Sequence, residues 1–284
     1  MKLSIYSLRR FAFTIVYCLL VSACSGQAQP PPPPAAPPPP VINLTSSGED
    51  NSPKVILIFT DLTTSTGSDL HIGDISENLK SIVLKAPYES EIIVYPIDRS
   101  MHVKPIMEFT KPAKPGNTTM SKAARKEMDA AIEAAQANIQ HLYEDVYLPA
   151  RNEPNSCLLN SLYKAHSVFS RYERKAQLHF ELVFMSDMLE ECELSPGELL
   201  FIRNNGEAFS KYVSTYEPGF DLSYADLTIV MSTQANSSDS HSIGSIQLEK
   251  LWREALKRHG YSGEKLADIP FNTLLPEKYQ YTGE

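Results

Sequence analysis

Glycine is scarce in this chain, 12 of 284 residues, and none of it falls in a phosphate-cradling pattern. No G-x-G-x-x-G, Walker loop or G-x-S-x-G elbow occurs, which removes the best supported nucleotide-binding and serine-hydrolase chemistries. The seven histidines, at 71, 102, 141, 166, 179, 241 and 259, lack H-E-x-x-H or any comparable ligand spacing, so a zinc enzyme is not expected. Positive charge is also short, with 26 basic residues against 34 acidic and no basic cluster, and this argues against nucleic acid as a partner. The longest apolar stretch, Phe11 to Ala23, runs about 13 residues and is too short to span a bilayer.

What that stretch does have is the layout of a secretion signal: Lys2, Arg9 and Arg10 precede it, and small residues close it at Val21-Ser22-Ala23-Cys24. The closing residues resemble a bacterial lipobox, which implies cleavage before Cys24 and lipid attachment there. Ser25 in place of aspartate favours, by the same resemblance, the outer membrane over the inner one. The domain is then expected in the periplasm or at the surface. Loss of residues 1–23 takes three basic residues and no acidic one, so the acidic excess rises from 8 to 11. The next segment, 24–52, contains Pro30 to Pro34 and Pro37 to Pro40. Such a tract forms neither helix nor sheet. As polyproline II it makes a semi-rigid tether, about 34 Å over these positions.

From residue 53 the chain alternates strand-like and helix-like patterns, predicting an α/β domain with a doubly wound, mostly parallel, Rossmann-like sheet over 53–261, followed by a C-terminal extension, 262–284. Parallel core strands are expected at Val55–Thr60, Glu91–Ile97, His179–Ser186 and Asp226–Ser232, with a short edge strand within His102–Phe109, where Pro105 disfavours a central place. Helices are expected at Leu70–Lys85, Thr119–Val146, Leu158–Arg174 and Ile246–His259. The apolar stripe of the second (Met120, Ala124, Met128, Ala131, Ala135, Ile139, Leu142, Val146) and Trp252 in the last read as core.

The first strand ends in Asp61-Leu-Thr63-Thr-Ser65, an acid and two hydroxyls at alternate positions on the edge where α/β sheets bind ligands. Oxygen donors recur at Asn155-Ser156-Cys157, before a helix, and at Ser186-Asp187, after a strand. Here the chain resembles the von Willebrand factor A family, whose metal-ion-dependent adhesion site combines D-x-S-x-S after the first strand, a threonine opening a middle helix, and an aspartate after the fourth strand. By that resemblance Asp61, Thr63 and Ser65 supply the first element, Ser156 the threonine position and Asp187 the last. Asn155, Asn160 and Ser161 are alternatives to Ser156. The family's glycine after the final aspartate is Met188 here, and no glycine precedes Ser156.

The resemblance implies Mg²⁺ or Mn²⁺ held by hydroxyls, carboxylates and water, with an open position for an acidic side chain of a partner protein. It implies binding and no catalysis. A metal-free envelope or secretion scaffold is the alternative, with Asp61 and Asp187 acting as caps. A phosphotransferase of the haloacid dehalogenase type would need a second aspartate where Thr63 stands. Of the cysteines, Cys157 and Cys192 remain after cleavage and lipidation, and in an oxidising compartment a disulfide between them is expected.

Overall fold

The computed structural model describes residues 52–62, 69–98, 100, 102–113, 120–147, 149, 157–172, 178–188, 190, 193–195, 198–199, 218–231, 245–272 and 274–280. The chain divides into two units, Met1–Gly48 and Glu49–Glu284, and all the described residues belong to the second. The leader, Cys24 and the proline-rich tether therefore lie outside the described residues.

Eight strands are described: β1 (Lys54–Thr60), β2 (Glu91–Pro96), β3 (Met107–Thr110), β4 (His179–Ser186), β5 (Glu193–Ser195), β6 (Glu198–Leu199), β7 (Ala225–Met231) and β8 (Phe271–Asn272). The helices are α1 (Asp69–Lys85), α2 (Lys122–Leu142), α3 (Leu158–Phe169), α4 (Ser245–Arg258) and α5 (Gly263–Ala267). Six strands form one sheet in the order β3-β2-β1-β4-β7-β8, and β5 pairs with β6 in a small antiparallel ribbon. In the main sheet β3 alone is antiparallel, pairing Glu91 with Thr110 through Val94 with Met107. The other pairings are parallel, with β1 and β4 in register from Lys54↔His179 to Thr60↔Met185.

The central strand explains the three layers. Successive side chains of β1 point to opposite faces, and both faces are apolar. Val55, Leu57 and Phe59 join a cluster with α3, α4 and α5, while Ile56 and Ile58 join another with α1 and α2. Phe59 also stacks between Tyr95 of β2 and Phe184 of β4, at 6.0 and 5.3 Å between ring centroids.

The helix α2 is shorter than its sequence pattern predicts. It begins at Lys122, where the Ser121 hydroxyl caps the Ala124 N–H at 3.1 Å, and it gives way to a π-helical turn at Tyr143–Tyr147. Its buried face is Met128, Ile132, Ala135 and Ile139, continued by Tyr143; Val146 is exposed. The wider π turn rotates the stripe, and so the last apolar position of the expected pattern leaves the core. Trp252 is buried, as expected of a core anchor.

The segment after residue 261, expected as an extension, packs into the domain. Leu266, Ile269, Leu275 and Tyr279 are buried, β8 adds a parallel strand beside β7, and burial, with the Glu181 carboxylate nearby, pushes the Tyr279 hydroxyl pKa up. Glu181 explains the docking: it is buried near the start of β4, and the Lys278 ammonium also pairs with it, with Lys54 at 3.7 Å. A buried carboxylate needs such partners. Sequence periodicity misses this because the segment supplies single anchors and not a repeating face. Among the described residues no helix is long and apolar enough to cross a membrane.

His259, just after α4, is fully buried, with the Phe220 ring 4.8 Å from it and His166 stacked on Phe220 at 4.6 Å. Burial pushes its imidazole down to about 4, with Asp221 acting to raise it and His166 to lower it further. An unfolded histidine titrates near 6.5, so between these values the unfolded chain binds more protons than the folded one. This contribution to stability is whole above about pH 6.5 and falls as pH drops towards 4, by up to about 1.4 kcal/mol per unit. Urea unfolding midpoints should therefore fall between pH 7 and 5, and His259→Phe should flatten that slope; equal slopes in both proteins would contradict this.

Candidate functional site

The carboxyl edge of the sheet carries the acidic pair. Asp61 follows β1 and Asp187 follows β4, the two central neighbours, and both are buried. The ladder continues one step past β1 on each side: Asp61 N–H donates to Met185 O at 2.9 Å and Ile97 N–H to Thr60 O at 2.8 Å. Asp61 is thus held by paired backbone and does not sit in a free loop.

Ser186, the last residue of β4, links the two halves. Its hydroxyl donates to Asp61 Oδ2 at 2.7 Å and accepts the Met188 N–H at 2.9 Å. The Met188 carbonyl in turn accepts the Trp252 indole N–H at 2.7 Å, all within buried surroundings. A chain of hydrogen bonds therefore runs from α4 to Asp61. Ser186 stands beside Asp187 in the sequence, but a strand-terminal serine carries no distinctive pattern from which this role could be read.

Met188 stands where the sequence resemblance calls for glycine, and its φ is +62°. That is the left-handed region, which costs a residue with a Cβ roughly 1 kcal/mol or more. The chain keeps the backbone conformation that glycine favours while using a side chain that is almost wholly buried. Burying a methionine side chain contributes about 1.5–3 kcal/mol, which offsets the strain.

Opposite this loop lies the first turn of α3. Its N-cap residue is Cys157, which makes no side-chain cap. Helix N-termini leave orphan N–H groups. Here a carboxylate from elsewhere meets one: Glu190 Oε2 accepts the Leu159 N–H at 2.9 Å, and Glu190 is fully buried. Glu190 was missed by sequence reasoning. The available signal is the pairing of a helix start lacking Ser, Thr, Asp or Asn at 157 with the acidic run Glu190-Glu191-Cys192-Glu193.

Of the expected site residues, Asp61 and Asp187 are brought to the same edge, while Thr63, Ser65 and Ser156 lie outside the described residues, as does Asn155. Ser161 donates its hydroxyl back to the Cys157 carbonyl at 3.1 Å, which spends it inside the helix. Cys157 is disulfide-bonded. Cys192, its expected partner, lies outside the described residues. Among the described residues no three His, Cys, Asp or Glu side chains group as a metal site.

The sheet order, the single antiparallel strand at one edge and the helices on both faces decide the architecture. The fold is von Willebrand A-like. No protein-family model and no curated protein matches the chain. Similar solved structures include a von Willebrand factor type A protein from Catenulispora acidiphila, with 13% identity and a TM-score of 0.36 over 72% of this chain, which spans 37% of that one. An aerotolerance-related membrane protein from Bacteroides fragilis has 7% identity and a TM-score of 0.34, covering 75% of this chain and 94% of its own. The human COPII-coat protein Sec24c has 11% identity and a TM-score of 0.29, covering 63% and 26% respectively.

Proposed function

We propose that this von Willebrand A-like chain is a lipid-anchored protein of the bacterial envelope that binds another protein at the carboxyl edge of its sheet, with Mg²⁺ or Mn²⁺ as the bridging ion. The observation that carries the reading is the burial of Asp61 and Asp187 at the ends of two adjacent parallel strands. Like charges at one edge favour a cation there. Asp61 and Asp187 would hold it with Thr63, Ser65 and Ser156. A bound ion supplies an electrophilic position for a partner's carboxylate. The protein's own residues fix where that position lies, since Ser186 orients Asp61 and the Met188 backbone turns the loop that carries Asp187. The reading is one of binding, with no reaction catalysed.

A cation-free scaffold is the second reading, and the hydrogen bond from Ser186 to Asp61 favours it, because a carboxylate so satisfied tolerates burial without a metal. Capture of a partner from envelope extract separates the two. A cation-bridged contact is lost with chelator, returns with Mg²⁺ and is missing in Asp61→Ala; capture that survives chelation belongs to the scaffold.

Anchoring rests on Val21-Ser22-Ala23-Cys24 and the tether after it. Cys24→Ser should move the protein from the membrane fraction to the soluble periplasm, and a variant that stays with membranes would show that another element holds it.

A further inference from the structure

The loop after β4 and the first turn of α3 come from separate parts of the chain, and something must set the gap between them. We propose that Glu190 is the positioning residue that does so, a role that rests on the cation-bridged reading for its functional consequence. Glu190 lies three residues after Asp187, so its backbone belongs to the loop that presents that carboxylate. Its side chain, fully buried, reaches across to the Leu159 N–H at 2.9 Å, two residues beyond Cys157 and three beyond Ser156. The N-cap residue of α3 makes no side-chain cap of its own, which leaves that N–H to an acceptor from outside the helix.

A carboxylate suits the place on two counts. Its charge is favoured by the N-terminal end of the helix dipole, and a hydrogen bond to an ionised acceptor is stronger than a neutral one. Its length matters as much. Removing the acceptor leaves the Leu159 N–H without its carboxylate and the strut missing, and a water in the vacated space would not tie the loop to the helix. Ser186 ties Asp61 to the loop, Met188 turns it, and Glu190 carries it across to α3. One loop thus takes its position from β1, α4 and α3 together. The group acts on the cation through the loop that carries Asp187, and is not itself a ligand.

The test uses the full chain and three variants, Glu190→Ala, Glu190→Gln and Glu190→Asp, with hydrogen exchange in the absence of cation and melting titrated with Mn²⁺. Glutamine keeps an acceptor of the same reach, whereas aspartate keeps the charge and is one methylene short. The expected result is that Glu190→Ala speeds exchange about ten-fold or more in peptides covering 157–162 and 182–190, and leaves the β1 and β2 peptides unmoved. It also raises the Mn²⁺ concentration for half-maximal stabilisation by about ten-fold. Glu190→Gln stays within about three-fold of wild type in both. Should Glu190→Ala fail to fold, Glu190→Asp takes its place with the same signs.

Three results overturn the proposal: exchange unchanged at both peptides, exchange faster throughout the domain, or glutamine as damaging as alanine. The second would make Glu190 a contributor to the stability of the whole domain and nothing more, and the third would show that the reach of its side chain does not set the gap. A wild-type protein that melts alike with and without Mn²⁺ removes the cation reading, and the exchange measurement still decides whether Glu190 holds the two segments together.

Discussion

Trp252→Ala should lower the unfolding free energy by about 3–5 kcal/mol, the usual cost of truncating a large buried aromatic. In a domain of this size that amounts to a fall of roughly 6–20 °C in melting temperature. Two losses combine. The indole is among the largest fully buried side chains, packed in the cluster that joins α4 to β4 and β7, so its removal leaves a cavity in a face that cannot collapse. Its N–H also satisfies the Met188 carbonyl, and that oxygen would be stranded in the interior. Trp252→Phe divides the two, since phenylalanine keeps most of the volume and none of the hydrogen bond. It should cost about 1–3 kcal/mol, the penalty of a buried unsatisfied carbonyl. Chemical denaturation of the three proteins measures both steps. A Trp252→Ala protein within a degree or two of wild type would mean that α4 is not docked through this residue.

The second large effect concerns the acidic edge itself. Asp61 is fully buried, and its negative charge faces the same edge as that of Asp187. A cation bound there stabilises the folded state by mass action, about 2.7 kcal/mol at a hundred times its dissociation constant. That corresponds to a rise of roughly 5–11 °C in a domain of this size. Asp61→Ala should remove the whole of this rise. Asp61→Asn should remove most of it while keeping an oxygen to accept from Ser186, so its fold in the absence of metal should stay close to wild type.

Why the sheet was legible and parts of the site were not follows from what each depends on. Buried parallel strands show as apolar runs, and β4 falls at His179–Ser186 as its run predicts, with β1, β2 and β7 within a residue of theirs. The edge strand β3 falls at Met107–Thr110, at the end of the expected span and past Pro105, which lacks the N–H that a paired strand needs. The π turn at Tyr143–Tyr147 and the docked segment after Tyr261 depend on tertiary contacts, which leave no period in the sequence. At the site, Asp61 and Asp187 were readable because strand ends locate them. Glu190, Ser186 and the indole of Trp252 act through partners 31, 125 and 64 residues away, and no local pattern announces pairings of that range. The glycine-like turn at Met188 was hidden for the opposite reason, since residue type pointed away from the backbone that is present.

The most direct test of the cation-bridged site is thermal melting of the full chain, first stripped with chelator and then titrated with Mg²⁺ or Mn²⁺, with Asp61→Ala and Asp61→Asn alongside. A saturable rise of several degrees is expected in the wild type, with little rise in Asp61→Asn and none in Asp61→Ala. Wild-type curves unmoved at millimolar concentrations of both ions would contradict it and leave the Ser186–Asp61 pair as a structural element of a cation-free domain.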